Sequence, residues 1–144
     1  MGYPKRQVLE HRFVWDFAGG LGSDSSTATG TIPVFSAPAK CMVLAAEANV
    51  VTAMTGSSAE ELGDGSDPNG WLLDGFAASA GFYPTSAATA ASAGVYAQAA
   101  GATDALDVTR EGKFYSSADT IDFEITGTAT AGKVVFIIKF MRLE

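Results

Sequence analysis

Histidine and cysteine are the side chains most readily turned into nucleophile, base or metal ligand, and the sequence holds one of each, His11 and Cys41. A hydrolytic site needs a base beside its nucleophile, oriented by a further group. His11 instead lies inside RQVLEHRFVWDF, an alternating run that reads as a strand, and no G-x-S-x-G elbow presents a serine. A single Cys and a single His also fall short of a structural zinc site. In GDGSDPNG and the residues after it, Asp64, Asp67, Asn69 and Asp74 cluster, which raises calcium. With Gly70 set on the invariant glycine of an EF-hand loop, Asp67 and Asn69 fall on the third and fifth ligand positions. Gly65 and Phe76 then occupy the two end positions, where carboxylates are required. Turn formation accounts for these residues, since Asp and Asn cap backbone groups in turns; a looser cation site is the alternative. Paired acids occur at Glu60/Glu61, Asp104/Asp107 and Asp122/Glu124. A glycosidase places its two acids in one cleft, whereas Asp122 and Glu124 read as the wet face of a strand. AGGLGSDS lacks both the dinucleotide-loop spacing and the P-loop lysine. The expectation is a protein that is not an enzyme, with no catalytic residue, no metal site and no cofactor.

The elements around these residues are strands. In the first run Leu9, His11, Phe13, Trp15 and Phe17 fall on one side, and Glu10, Arg12 and Asp16 on the other. AGGLGSDSSTATG is a loop by composition. TIPVFSAPAK, with two prolines, is extended and suits a sheet edge. CMVLAAEANVVTAM keeps period two and is rich in β-branched residues, so it predicts a long strand closed by Gly56. Turn signals at Gly63, Gly65, Pro68 and Gly70 follow, then a short strand or helical turn over Trp71–Phe76. Residues 75–103 carry no charge and are dominated by Ala, Ser, Gly and Thr; they predict a long loop packed through Phe82, Tyr83 and Tyr96. A short helix within TSAATAASA is compatible with its alanines. Near the end, Ile121, Phe123 and Ile125 face one way and Asp122, Glu124 and Thr126 the other. KVVFIIKFMRL is apolar on both faces and predicts a central strand. TGTATAGK between them predicts a hairpin pairing 119–126 with 133–142. About six to eight strands with no long helix indicate an all-β sandwich or barrel.

The chain of 144 residues fits one domain, 1–144, with 1–18 as an N-terminal strand or arm. Its 47% apolar and 17% charged composition is that of a folding chain. A lone cysteine makes no internal disulfide, so the fold does not need an oxidising compartment. MGYPKRQVLEHRF has neither the apolar core of a secretory signal nor a myristoylation pattern, and no run is apolar enough to span a membrane as a helix. The net charge of −7 is uneven: +2 over residues 1–13, −9 over 14–109 and zero over 110–144. An acidic middle without basic, aromatic-interleaved patches argues against nucleic acid as partner. Lys5, Arg6 and Arg12 could touch an acidic partner, or simply solvate a strand end.

AEANVVTAMTGSSAEELGDGSDPNGWL, followed later by FYSSADTIDFEITGTATAGKVVFIIKF, resembles a pattern of small virion proteins of tailed bacteriophages. Its elements fall on Thr52–Gly56, Gly63–Asp67, Tyr115–Ile121 and Thr126–Lys133, and the resemblance spans residues 32–142. Such proteins are similar to capsid decoration, or cement, proteins with a jelly-roll-like antiparallel β-sandwich. The resemblance implies a homotrimer seated on the major capsid protein at the outer surface of the phage head, assembled in the host cytoplasm and carrying no catalytic residues. Phe82, Tyr83, Tyr96, Trp71, Arg6 and Arg12 are the candidate subunit or capsid contacts. The alternative is a head-fibre or tail domain that holds a host-surface glycan, with Trp71, Phe82, Tyr83 and Tyr96 stacking on sugars.

Overall fold

The computed structural model describes residues 7–83, 94–96 and 112–143. In chain order its strands are β1 (Leu9–Asp16), β2 (Gly30–Ala37), β3 (Cys41–Asp64), β4 (Gly81–Tyr83), β5 (Lys113–Tyr115) and β6 (Asp119–Arg142), with a 3₁₀ turn at Phe76–Ala78. All pairings between these strands are antiparallel. The helix considered within TSAATAASA lies outside the described residues.

β3 and β6 have 24 residues each and pair from Cys41 opposite Arg142 to Asp64 opposite Ile121. A straight strand of that length would extend about 80 Å, several times the radius of gyration of about 15 Å for a chain of this size. The ladder therefore has to bend, and it does so where its register slips. Thr52 faces Lys133, Thr55 faces Ala131 and Ser57 faces Gly127, so bulges accumulate on both strands. Gly56 takes φ +85°, and a Cβ there would meet the Thr128 carbonyl oxygen at 2.6 Å. Gly132 takes φ +140°, with a Cβ 2.7 Å from Met54 Cγ and 2.9 Å from Trp15 Cζ3. Across the bend Thr55 Oγ1 and Thr130 Oγ1 share a hydrogen bond of 3.0 Å, and Ser58 Oγ donates to the Thr126 carbonyl at 3.2 Å.

This geometry corrects two expectations. Gly56 bends β3 rather than closing it, and the strand continues to Asp64. TGTATAGK is not a hairpin: residues 119–126 and 133–142 belong to one strand, and each half pairs with β3 instead of with the other. The alternating threonines 126, 128 and 130 are β-branched and hold the chain extended, and the glycines absorb the bulges.

The bend turns one ladder into two facing sheets, a jelly-roll-like antiparallel sandwich. One sheet adds β1, paired with β6 from Leu9 opposite Phe140 to Asp16 opposite Lys133, and carries β4 and β5 on the far edge of β3. The other adds β2, paired with β6 from Gly30 opposite Ile125 to Ala37 opposite Asp119. Pro33 sits at a register shift of this edge strand, as its missing N–H requires. The 133–142 run is central as expected, flanked by β1 and β3.

The core lies between the sheets. Phe123 and Phe136, from opposite halves of β6, meet at a tilt of 53° with ring centroids 4.9 Å apart. Phe76 enters from the 3₁₀ turn, 6.0 Å from Phe123 and 6.3 Å from Phe136, and Trp15 meets Phe123 edge-on at 5.8 Å. Each such aromatic contributes about 1.5–3 kcal/mol by burial. Part of the expected loop 75–103 is therefore ordered structure: Phe76 fills the core, and Gly81–Tyr83 lengthens the sheet. Within that segment, residues 84–93 and 97–103 lie outside the described residues.

Candidate interaction surfaces and a buried polar cluster

The strongest concentration of ionisable groups closes the end of β3. Asp64 is buried, and its side chain is wholly enclosed. Its Oδ2 accepts from Lys113 Nζ at 2.5 Å and from Tyr115 Oη at 2.8 Å. Its Oδ1 accepts from the N–H groups of Ser66 and Asp67 at 2.9 and 3.1 Å and from Tyr96 Oη at 3.3 Å. Lys113 Nζ also bonds Tyr96 Oη at 2.8 Å and lies 4.1 Å from the centre of the Tyr96 ring. Trp71 Nε1 donates to Tyr115 Oη at 3.4 Å. Burial works to raise the Asp64 carboxyl, but Lys113, Tyr115 and the two backbone donors outweigh it and hold the pKa below its ordinary value. Burial likewise works against the Lys113 ammonium, and the bonds to Asp64 and Tyr96 outweigh it, leaving the pKa raised. The Tyr115 phenol is pushed far up, chiefly by burial.

A carboxylate so saturated has no lone pair left for a substrate or a proton, and the ammonium beside it stays charged. The cluster is a staple. It joins the end of β3, the 65–71 loop, the Gly94–Tyr96 segment and β5. Backbone bonds reinforce it, from Gly94 N to Trp71 O at 2.9 Å, Tyr96 N to Gly70 O at 2.8 Å and Gly112 N to Tyr96 O at 3.1 Å. Sequence reasoning placed Asp64 in a calcium test and overlooked Lys113 and Tyr115. No local signal could have found them, because the partners are 49 and 51 residues from Asp64 along the chain.

The other residues with chemical potential are dispersed. His11 Nε2 bonds the Val34 carbonyl at 3.0 Å, and its ring packs on Phe35 with centroids 5.3 Å apart, tying β1 to β2 across the sandwich seam. Cys41 is a free, buried thiol whose pKa burial raises, against a smaller opposing effect of Arg142. Asp122 and Glu124 lie on the outer face of β6, and Glu124 stands directly opposite Glu61 on β3. Burial and then Asp74 and Glu124 raise Glu61, against a hydrogen bond from Asn69; burial also leads in raising Asp122. Among the described residues no group of three His, Cys, Asp or Glu is placed to hold a metal ion.

The candidate contact residues separate by exposure. Phe82 is 40% exposed on β4, facing outward opposite Asn49 of β3. Arg12 is exposed on the outer face of β1. Tyr83 and Tyr96 are half-buried and pack on the core, whereas Trp71, at 1% exposure, is part of it. Arg6 lies outside the described residues. Sequence reasoning missed Phe114, 49% exposed on β5 opposite Met42, and Val51, 50% exposed on β3. Together with Phe82 they put apolar surface on the outer side of one sheet. Their signal was an apolar residue on the polar phase of a strand.

No protein-family model and no curated protein matches the sequence. Among solved structures, a chain of the cyanophage Pam1 capsid asymmetric unit aligns over 99% of this chain and 91% of its own length, with a TM-score of 0.53 and 11% identity. The fold is one found in a phage capsid. A chain of the acidic stable capsid structure of Helicobacter pylori bacteriophage KHP30 also aligns, over 94% of this chain and 92% of that one, with a TM-score of 0.49 and 11% identity.

Proposed function

We propose that the protein is a structural component of a tailed-phage head that binds the outside of the major capsid lattice and stabilises it. The observation that carries this reading is the correspondence of fold, along 99% of the chain, with a chain of the Pam1 capsid. The composition of the surface supports a binding role over a catalytic one. The most connected ionisable cluster is saturated, and Phe82, Phe114 and Val51 lie exposed on one outer sheet face, where apolar side chains serve contact. In this reading the edge carrying β4 and β5 contributes to a homotrimer or to the capsid contact. Phe114 and Phe82 are its most exposed aromatic anchors, Tyr83 follows Phe82 on β4, and Tyr96 packs on the buried Trp71. Arg12 is a second, polar contact, with Arg6 preceding it in sequence. Assembly in the host cytoplasm suits a fold without disulfides. Of the four aromatics on which the glycan-binding alternative rests, Trp71, Phe82, Tyr83 and Tyr96, only Phe82 is exposed.

The test is addition of purified protein to phage heads that lack it, beside host cells as a second binding surface. Saturable binding to heads with a rise in their thermal or osmotic resistance supports the reading. Binding to cells and not to heads refutes it. Sedimentation of the free protein tests the trimer.

A further inference from the structure

We propose that the open edge of β1 joins two copies of this chain, with Glu10–Arg12 of one copy antiparallel to Arg12–Glu10 of the second around a two-fold axis at His11. β1 ends the sheet, with β6 on its one paired side. Its other side is protected along only part of its length. The Val14 carbonyl accepts from Asp24 N at 2.7 Å and Ser25 N at 3.3 Å, Val14 N donates to Asp24 Oδ2 at 2.7 Å, and Asp16 N donates to Ser25 O at 2.9 Å. Backbone groups of alternate residues point to the same lateral side of a strand. Glu10 and Arg12 therefore present their N–H and C=O groups on this same side, where no hydrogen bond reaches them among the described residues. Folded proteins usually block such edges. This one blocks Val14 and Asp16 and leaves Glu10 and Arg12 open, and Val8 just before them is 53% exposed.

The occupant is argued from the strand itself. With the axis at His11, Glu10 of each copy exchanges both backbone hydrogen bonds with Arg12 of the other, and the exposed side chains of both cross-strand pairs are opposite in charge. Moving the axis by one residue would set Glu10 against Glu10 or Arg12 against Arg12, and like charges directly opposite are unfavourable. The charge pattern thus selects both the partner and the register. On the inner side, a groove of about 350 Å³ runs along this stretch, lined by His11, Phe13, Pro33, Val34, Phe35 and Ser36. The docking strand would bring Leu9 and Phe13 to it, the apolar phase of the same alternation. Pairing stops at Val14, whose backbone groups are taken. Because β1 and β4 lie at opposite ends of the sheet order, the contact leaves Phe82 free; it engages Arg12, so with β1 paired the proposed capsid contact rests on the edge carrying β4 and β5.

The test uses the full chain carrying His11→Cys. Residues facing each other at the non-hydrogen-bonded position of an antiparallel pair have Cα atoms about 4.5 Å apart, within the disulfide range of about 4.4–6.8 Å. Mild oxidation is expected to give a disulfide-linked dimer of H11C, whereas E10C and R12C, each offset from its own copy, stay unlinked; Cys41 is buried and silent. An unlinked H11C, or linkage chiefly through E10C or R12C, overturns the proposal. A second measurement leaves His11 intact. By sedimentation, Glu10→Arg and Arg12→Glu are each expected to weaken self-association about tenfold, and the double swap to restore it. Singles without effect, a double variant as weak as the singles, or a wild type that is monomeric throughout contradict it.

Discussion

Replacing Asp64 by alanine removes one side chain and strands five donors. Lys113 Nζ, Tyr115 Oη, Tyr96 Oη and the N–H groups of Ser66 and Asp67 all point at the lost carboxylate. Tyr115 is buried, so water cannot replace what its hydroxyl loses, whereas Lys113 keeps its bond to Tyr96 and partial access to solvent. Breaking a buried, hydrogen-bonded ion pair from one side costs about 3–5 kcal/mol, and this site belongs in that range because several neutral donors are stranded with the cation. Asp64→Asn keeps one acceptor oxygen and is expected to cost about 1–3 kcal/mol. Lys113→Met leaves the carboxylate its four other donors and should cost less than Asp64→Ala. Urea denaturation at neutral pH measures all three. The pH dependence gives an independent check with a definite sign. Asp64 has a folded pKa lowered from 3.8, so its contribution is fully present above that value and is lost as pH falls through the folded pKa. Wild type should therefore lose stability below about pH 4 more steeply than D64N. An Asp64→Ala protein within about 1 kcal/mol of wild type, with the same acid limb, would refute the view that this cluster holds the loop ends and β5 to the sheet.

Three further outcomes follow from the packing. Gly132→Val places a branched side chain against Met54 and Trp15 at positive φ, and should abolish cooperative thermal unfolding or lower stability by more than about 3 kcal/mol; near-wild-type melting would mean the bend is not as described. Phe123→Ala empties the contact between the two halves of β6 and should cost about 3–5 kcal/mol in denaturant titration. The double change Phe82→Ser, Phe114→Ser should leave the isolated protein's stability within about 1 kcal/mol while weakening the proposed trimer or capsid contact, measured by sedimentation and head-binding assays.

Period-two alternation makes much of this fold legible in the amino-acid sequence. Leu9 to Trp15 and Ile121 to Ile125 alternate because each strand has one face on the core. In β3 the alternation read from Met42 to Val50 holds only over Ala46–Val50, because a register shift between Val43 and Ala45 puts Cys41 and Val43, not Met42 and Leu44, in the core. KVVFIIKFMRL does run centrally, between β1 and β3, but only one of its apolar faces is covered by the core; Ile137, Lys139 and Met141 on the other are half-buried. What the sequence conceals is connectivity. GTATAG and TGSS contain the same glycines and small polar residues that a hairpin would use, and nothing local distinguishes a turn that reverses the chain from a bulge that bends a ladder. That choice is made by pairing between residues as far apart as Thr55 and Ala131, and by whether a 24-residue strand finds a partner of equal length. The same distance in sequence hides the Asp64 staple. Trp71 and Phe82 show the complementary difficulty. Both are large aromatics in turn-rich surroundings, yet one is enclosed by the core and the other faces outward, a difference set by long-range packing rather than by their neighbours.

The proposed function places the chain in the virion shell. Quantitative mass spectrometry of purified phage particles tests it most directly, by the ratio of this chain to the major capsid protein. A ratio of order one, lost together with head stability when the protein is removed, is the result the account expects. Absence from particles, or a few copies confined to the tail, would contradict it.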